Sequence, residues 1–172
     1  MRKIHLGCGE RKYIGWENYD REIDMRNPLP FEDNSIDYFF TNHALEHVDI
    51  HSGYKLLQEM YRCLKPEGAI RMQVPDIHRI YHYAELVPEY IEERANGDLK
   101  KVVENVMFDF EHLSVYTEQL LNTMMKLVGF NTIICNQNKS RFLDMQYLLD
   151  QHEKCNIYIV ETTCIEGIKS NV

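Results

Sequence analysis

Apolar positions along the chain change period several times, and each change marks an element. Lys3-Ile4-His5-Leu6 alternates and stops at Gly7-Cys8-Gly9, predicting a short strand that ends in a tight turn with bare backbone. Trp16-Glu17-Asn18-Tyr19-Asp20 alternates as a second short strand. Residues 21–34 hold Pro28, Pro30 and the run Glu32-Asp33-Asn34, predicting loop around a short extended piece near Ile23 to Met25. Ile36-Asp37-Tyr38-Phe39-Phe40-Thr41 is the strongest early strand. From Ser52 to Lys65 the period is helical, with Ser52 as N-cap, Tyr54, Leu57, Tyr61 and Leu64 as the apolar face, and Pro66 and Gly68 as the stop. Residues 69–74 alternate again and close on Pro75-Asp76.

A long stretch follows, to about Tyr116. From Asp98 it places Leu99, Val102, Val103, Val106, Met107 and Phe110 on one helical face. Thr117 caps a helix through Val128 whose predicted buried side is Leu120, Leu121, Met124, Leu127 and Val128, with Gly129 just past its end. Residues 130–135 and 157–163 read as strands, with a short helix near 144–151 between them and a frayed tail from Glu166. Strands alternate with helices, so the class is α/β with a mostly parallel sheet. The last two strands lack a clear crossover helix, which predicts an antiparallel end. Only a short loop separates the first two strands, so the helices of the N-terminal half are abbreviated. No linker or repeat interrupts the chain. One domain over 1–172 is expected, with 77–116 as a helical lid or acceptor insert.

Composition narrows the function. A net charge of −8 argues against nucleic acid or an anionic membrane as partner. Five cysteines, Cys8, Cys63, Cys135, Cys155 and Cys164, form no C-x-x-C pair, which fits reduced thiols in a cytoplasm. Arg2-Lys3 is followed by no apolar leader, and no run reaches transmembrane length.

The order of motifs resembles the class I S-adenosylmethionine-dependent methyltransferases, in particular small ones with an N-terminal L-G-C-G and a Gly-Trp soon after. The resemblance rests on Ile4 to Gly9, Asp20 at a strand end, Asp24 to Phe31, Asp33 to Asp37, Asn42-His43-Ala44-Leu45-Glu46-His47-Val48, Glu59 to Gly68, Val74-Pro75-Asp76 and Leu127 to Phe130. It implies a Rossmann-like, seven-stranded sheet with an antiparallel last strand, S-adenosylmethionine as co-substrate and no metal. It also implies that Gly7, Cys8 and Gly9 lie along the methionine part, that Asp20 takes the ribose hydroxyls, that Asp24 and Met25 bracket the adenine, and that Asn42 sits near the sulfonium. His5 stands where the family has Asp, and Glu10 and Arg11 where it has a small residue and glycine. With His5 and Glu10 kept among the cofactor-binding residues, either Glu10 takes over the contact to the amino group, or the pocket is weaker than in the family at large. The reduced helices leave a sheet face that a homodimer would cover.

His43, His47 and His51 recur every four residues, which on a helix is metal-ligand spacing. Asp49 and the stretch before Ser52 break that helix, so His43 and His47 are read instead as general-base candidates. Asp76 is a third candidate, or a helix cap. His112 and Tyr116 lie where they could close over the site. The expected activity is methyl transfer to a small-molecule or sugar-like acceptor. The alternative is a cofactor-binding or degenerate subunit without turnover, acting as a partner protein. A nicotinamide-dinucleotide protein is disfavoured because the pyrophosphate fingerprint is absent.

Overall fold

The computed structural model describes residues 1–106, 110–136, 139–142 and 161–171. Its sheet comprises β1 (Lys3–Leu6), β2 (Glu17–Tyr19), β3 (Ile36–Asn42), β4 (Leu64–Pro75), β5 (Phe130–Ile134) and β6 (Thr162–Lys169). The strand order is β2-β1-β3-β4-β6-β5. β1, β2, β3 and β4 run parallel, and β6 is antiparallel to both β4 and β5. The expected α/β class with an antiparallel end is therefore observed. Among the described residues the sheet has six strands, not seven. The extended piece near Ile23 forms turns instead: Ile23 N–H donates to Asp20 O and Asn27 N–H to Asp24 O. The Asp24 side chain drives the second turn by accepting from Arg26 N–H at 3.0 Å.

The helices are α1 (Ile50–Cys63), α2 (Ile77–Leu86), α3 (Pro88–Ala95), α4 (Leu99–Glu104) and α5 (Glu118–Val128). Among the described residues no helix is long and apolar enough to cross a membrane. Asp49, not Ser52, caps α1, accepting from His51 and Ser52 N–H. The buried side of α1 is Gly53, Leu56, Leu57, Met60 and Cys63, so the face predicted around Tyr54 and Tyr61 is rotated. Those tyrosines stand at its margin, where a phenol can pack and keep its hydroxyl wet. α5 begins at Thr117 and ends on a left-handed Gly129, as the sequence predicts. Its buried side is Leu121, Met124 and Met125, while Leu120 and Leu127 are exposed.

One sheet face is apolar. Ile4, Leu6, Phe39, Ile70, Met72 and Ile165 meet the buried sides of α1 and α5 in the main core. The alternate residues His5, Phe40 and Arg71 belong to the other face, and all three are buried. Loop residues Tyr13 and Trp16 pack on Phe40, and Phe142 packs on Tyr38. Phe40 and Arg71 are thus covered within one chain, which removes the reason for expecting a second subunit over them. α2, α3 and α4 close a separate small core of Ile80, Ala84, Tyr90, Ala95 and Val102.

The frayed tail expected from Glu166 is overturned. Glu166 lies inside β6, fully buried, with Oε1 2.7 Å from the Arg71 guanidinium on β4. Asn136 and Lys139 carbonyls accept from the same guanidinium. A buried carboxylate needs such a partner. The helix expected at 144–151 lies outside the described residues, as does most of the strand expected at 157–163. Thr162 and Thr163 open β6.

Candidate active site

β1 ends in the turn Gly7-Cys8-Gly9 because both glycines take positive φ, +67° and +51°. Their surroundings differ. A Cβ on Gly7 would lie 2.3 Å from the Ala44 Cβ, so Gly7 lets the segment after β3 come close. A Cβ on Gly9 would meet nothing within 4 Å, so Gly9 is the open backbone. Cys8 N–H donates to Tyr19 O at 3.1 Å, tying the turn to the end of β2. One residue on, Asp20 Oδ1 accepts from Gly9 N–H at 3.2 Å. A carboxylate and an uncovered turn therefore share the carboxyl ends of two neighbouring parallel strands, where α/β sheets bind ligands.

The other predicted contacts distribute around this turn. Glu10 is exposed beside Gly9. His5 lies on the opposite sheet face from Ile4 and Leu6, with its ring 5.1 Å from Tyr13 and 5.0 Å from Phe40. Asp24 is engaged by the Arg26 guanidinium at 2.8 and 2.9 Å. Met25 is half-buried against the main core. Asn42 is half-buried at the end of β3.

His43 follows at φ +51°, an uncommon conformation for a residue with a Cβ. Its Nε2 is 2.8 Å from Thr162 Oγ1, and its Nδ1 is 3.5 Å from Glu46 Oε1. Glu46 sits in a 3-10 turn, Leu45–His47, and is 1% exposed. Neither of its carboxylate oxygens has a hydrogen-bond partner among the described residues. Burial pushes its carboxyl up to about 8. The Glu46 carbonyl accepts from Leu113 and Ser114 N–H, so the segment before α5 is stitched across this turn. That segment brings His112, whose Nε2 is 3.9 Å from Glu46 Oε1 and whose ring centroid is 5.0 Å from that of His47. Burial lowers the His112 imidazole.

His43, His47 and His51 do not come together, in keeping with the break expected at Asp49. His51 is exposed in the first turn of α1 and contributes nothing to the group. The structure instead gathers Glu46, His47 and His112, one ligand atom from each lying within 4.8 Å of the others. Glu46 escaped the sequence reading, although it stands next to a singled-out histidine. Asp76 is 1% exposed and caps two helices at once. Its Oδ1 accepts from His78 and Arg79 N–H, and its Oδ2 from Glu118 N–H at 2.8 Å. Tyr81 and His82 are exposed, while Tyr83 packs edge-on against Tyr90 at 5.1 Å.

Comparison with known proteins supports the same reading of the fold. The profile of a methyltransferase domain family matches residues 5–72, from β1 into β4. No curated protein matches the chain by sequence. Among solved structures, a SAM-dependent methyltransferase from Archaeoglobus fulgidus superposes with a TM-score of 0.60 at 14% identity, covering 98% of this chain and 86% of that one. A complex of the Haloferax volcanii Trm112 methyltransferase activator with a candidate methyltransferase gives 0.59 at 11% identity, with coverages of 99% and 83%. Haemonchus contortus phosphoethanolamine N-methyltransferase 2 bound to S-adenosyl-L-methionine gives 0.56 at 14% identity, covering 99% of this chain but 49% of that one. The chain has the Rossmann-like fold of these methyltransferases.

Proposed function

We propose that this chain is an S-adenosylmethionine-dependent methyltransferase acting on a small-molecule acceptor. The observation that carries the reading is the Asp20 carboxylate on Gly9 N–H, beside a turn where Gly9 opens onto free space. That pairing fits a ligand with a diol and an amino-acid tail. Asp20 Oδ2 has no protein donor among the described residues and can accept from hydroxyls that must be paired once desolvated. The Gly9 backbone admits close approach. Glu10, exposed beside it, is our candidate for the amino group, while His5 belongs to the other sheet face, against Tyr13 and Phe40.

Bound there, the sulfonium supplies an electrophilic methyl with a neutral leaving group. The chain has to align the acceptor, exclude water and accept a proton. Asn42 and His43 end β3 on the same side of the sheet as the turn. His43, held to Thr162, is our base candidate, with His47 of the neighbouring Glu46 turn as the second. Asp76 has both oxygens committed to backbone donors, so we assign it to holding α2 and α5 in place. The helices α2, α3 and α4 form the lid over the acceptor. The acidic charge supports a small acceptor rather than nucleic acid.

Calorimetry with S-adenosylmethionine and S-adenosylhomocysteine tests the reading. Both should bind, and Asp20→Ala should weaken them about tenfold or more. No binding of either ligand would sink it. Binding without transfer to any acceptor pool would favour a partner subunit without turnover, a reading to which the Trm112 complex gives slight support.

A further inference from the structure

The geometry points to a binding site for a divalent transition-metal cation formed by Glu46, His47 and His112. Three observations carry it. First, Glu46 is 1% exposed and both carboxylate oxygens lack a hydrogen-bond partner among the described residues. Stripping a carboxyl of water without replacing its partners costs several kcal/mol. Evolution of a soluble core would tolerate an apolar residue there at less expense, so the carboxyl has a use.

Second, the neighbours have the chemistry of ligands. The segment at 111–116, tied to the Glu46 carbonyl through Leu113 and Ser114, carries His112 in from far along the chain. Its Nδ1 is hydrogen-bonded to the Val106 carbonyl. The proton therefore belongs on Nδ1, and Nε2 is left with its lone pair 3.9 Å from Glu46 Oε1. A carbonyl behind one ring nitrogen is how a metal-binding histidine is usually oriented. His47 completes the group from the exposed side, where it opens to solvent.

Third, the dimensions suit a small cation. The three ligand atoms lie within 4.8 Å of one another. Bonds of about 2.0–2.1 Å in a tetrahedron put ligand atoms roughly 3.4 Å apart. Contraction by up to about 1.4 Å, from 4.8 Å to roughly 3.4 Å, closes the set, and the exposed His47 side chain can make most of that movement. Two imidazoles and one carboxylate select zinc, iron or nickel over magnesium or calcium. Three protein ligands leave a coordination position open on the His47 side. His43 Nδ1 lies 3.5 Å from the same carboxylate. Resting on the methyltransferase reading, the cation would hold an acceptor oxygen beside the base and lower its pKa. Binding of the ion itself does not depend on that reading.

The experiment uses chelator-treated protein and Zn2+ at pH 7.5, followed by titration calorimetry, with Co2+ absorption as a second signal. One ion per chain should bind at about micromolar affinity or tighter. His47→Ala, at an exposed position that cannot disturb the core, should weaken binding at least tenfold. Glu46→Gln, of nearly equal volume, should abolish it. His51→Ala, the exposed histidine outside the group, should leave it unchanged. Mg2+ should not compete. Absent stoichiometric binding, or equal losses for His47→Ala and His51→Ala, would overturn the site. Running the S-adenosylmethionine titration on the same samples separates the two proposals. Zinc bound without cofactor removes the methyltransferase reading alone, and cofactor bound without zinc removes the metal site alone.

Discussion

Asp76 offers the sharpest test of a structural against a catalytic role. One carboxylate takes three backbone N–H groups: His78 at 2.9 Å, Arg79 at 3.2 Å and Glu118 at 2.8 Å. The first two are orphan donors of α2, and the third opens α5. Loss of one N-cap costs about 1 kcal/mol, and a buried donor left unpaired costs about 1–3 kcal/mol. Asp76→Ala should therefore lose about 2–4 kcal/mol. With an m-value of roughly 2 kcal/mol/M in urea for a chain of this size, the midpoint should fall by about 1–2 M at unchanged m. Asp76→Asn keeps an acceptor for α2 but sets an amide donor against Glu118 N–H, so it should lose about half as much. Urea titrations read by far-UV circular dichroism and by the single tryptophan, Trp16, would measure both. Under conditions where both variants stay folded, cofactor affinity and methyl transfer should be near wild type. A midpoint shift below about 0.25 M together with abolished transfer would refute the reasoning and return Asp76 to the chemistry.

Gly7→Ala meets both a left-handed backbone and the Ala44 side chain, so it should cost about 2–4 kcal/mol; Gly9→Ala meets only the first and should cost about 1 kcal/mol, which paired thermal melts would show. Glu166→Ala takes from the buried Arg71 guanidinium the carboxylate that faces it at 2.7 Å and should cost about 3–5 kcal/mol in urea, whereas replacing both residues by apolar ones should recover most of it. In chelator-treated protein, Glu46 keeps a proton in the folded state up to about pH 8 that the unfolded chain loses near its usual value of about 4.5. Stability should therefore fall as pH rises through that window and level off above it, and Glu46→Gln should remove that part of the slope; a variant with the wild-type slope would disprove it. His43, His47, His112 and Tyr116 face the same carboxyl, so the comparison must be made as a difference between variant and parent.

What the sequence made legible was local. The turn at Gly7 to Gly9, the Thr117 cap and the Gly129 stop each depend on a residue's own φ or side-chain reach, and the structure places them as read. The face of α1 was misjudged because Tyr54 and Tyr61 are apolar by composition yet sit at a margin that only packing defines. Glu46 was invisible for a deeper reason. A glutamate beside a histidine reads as solvated surface, and its burial comes from residues 111–116, which return from 66 positions away, as the Ser114 to Val48 hydrogen bond shows. The same holds for Glu166, whose partner Arg71 is 95 positions distant. Charged residues paired only through the fold carry no mark in their neighbours.

The placement of β6 sets the order in which the sheet can assemble. β6 is made after β5 yet lies between β5 and β4, and among the described residues β5 pairs with no other strand of the sheet. Until β6 arrives, β4 is an edge with its backbone donors and acceptors bare, flanked by Ile70, Met72 and Val74, which end fully buried. A contact spanning 95 positions closes slowly. A nascent or refolding chain therefore passes through a state that invites strand addition from another molecule. Refolding yield should depend on protein concentration more steeply than the stability of the finished sheet would suggest, and a chaperone that shields strand edges should act before β6 docks.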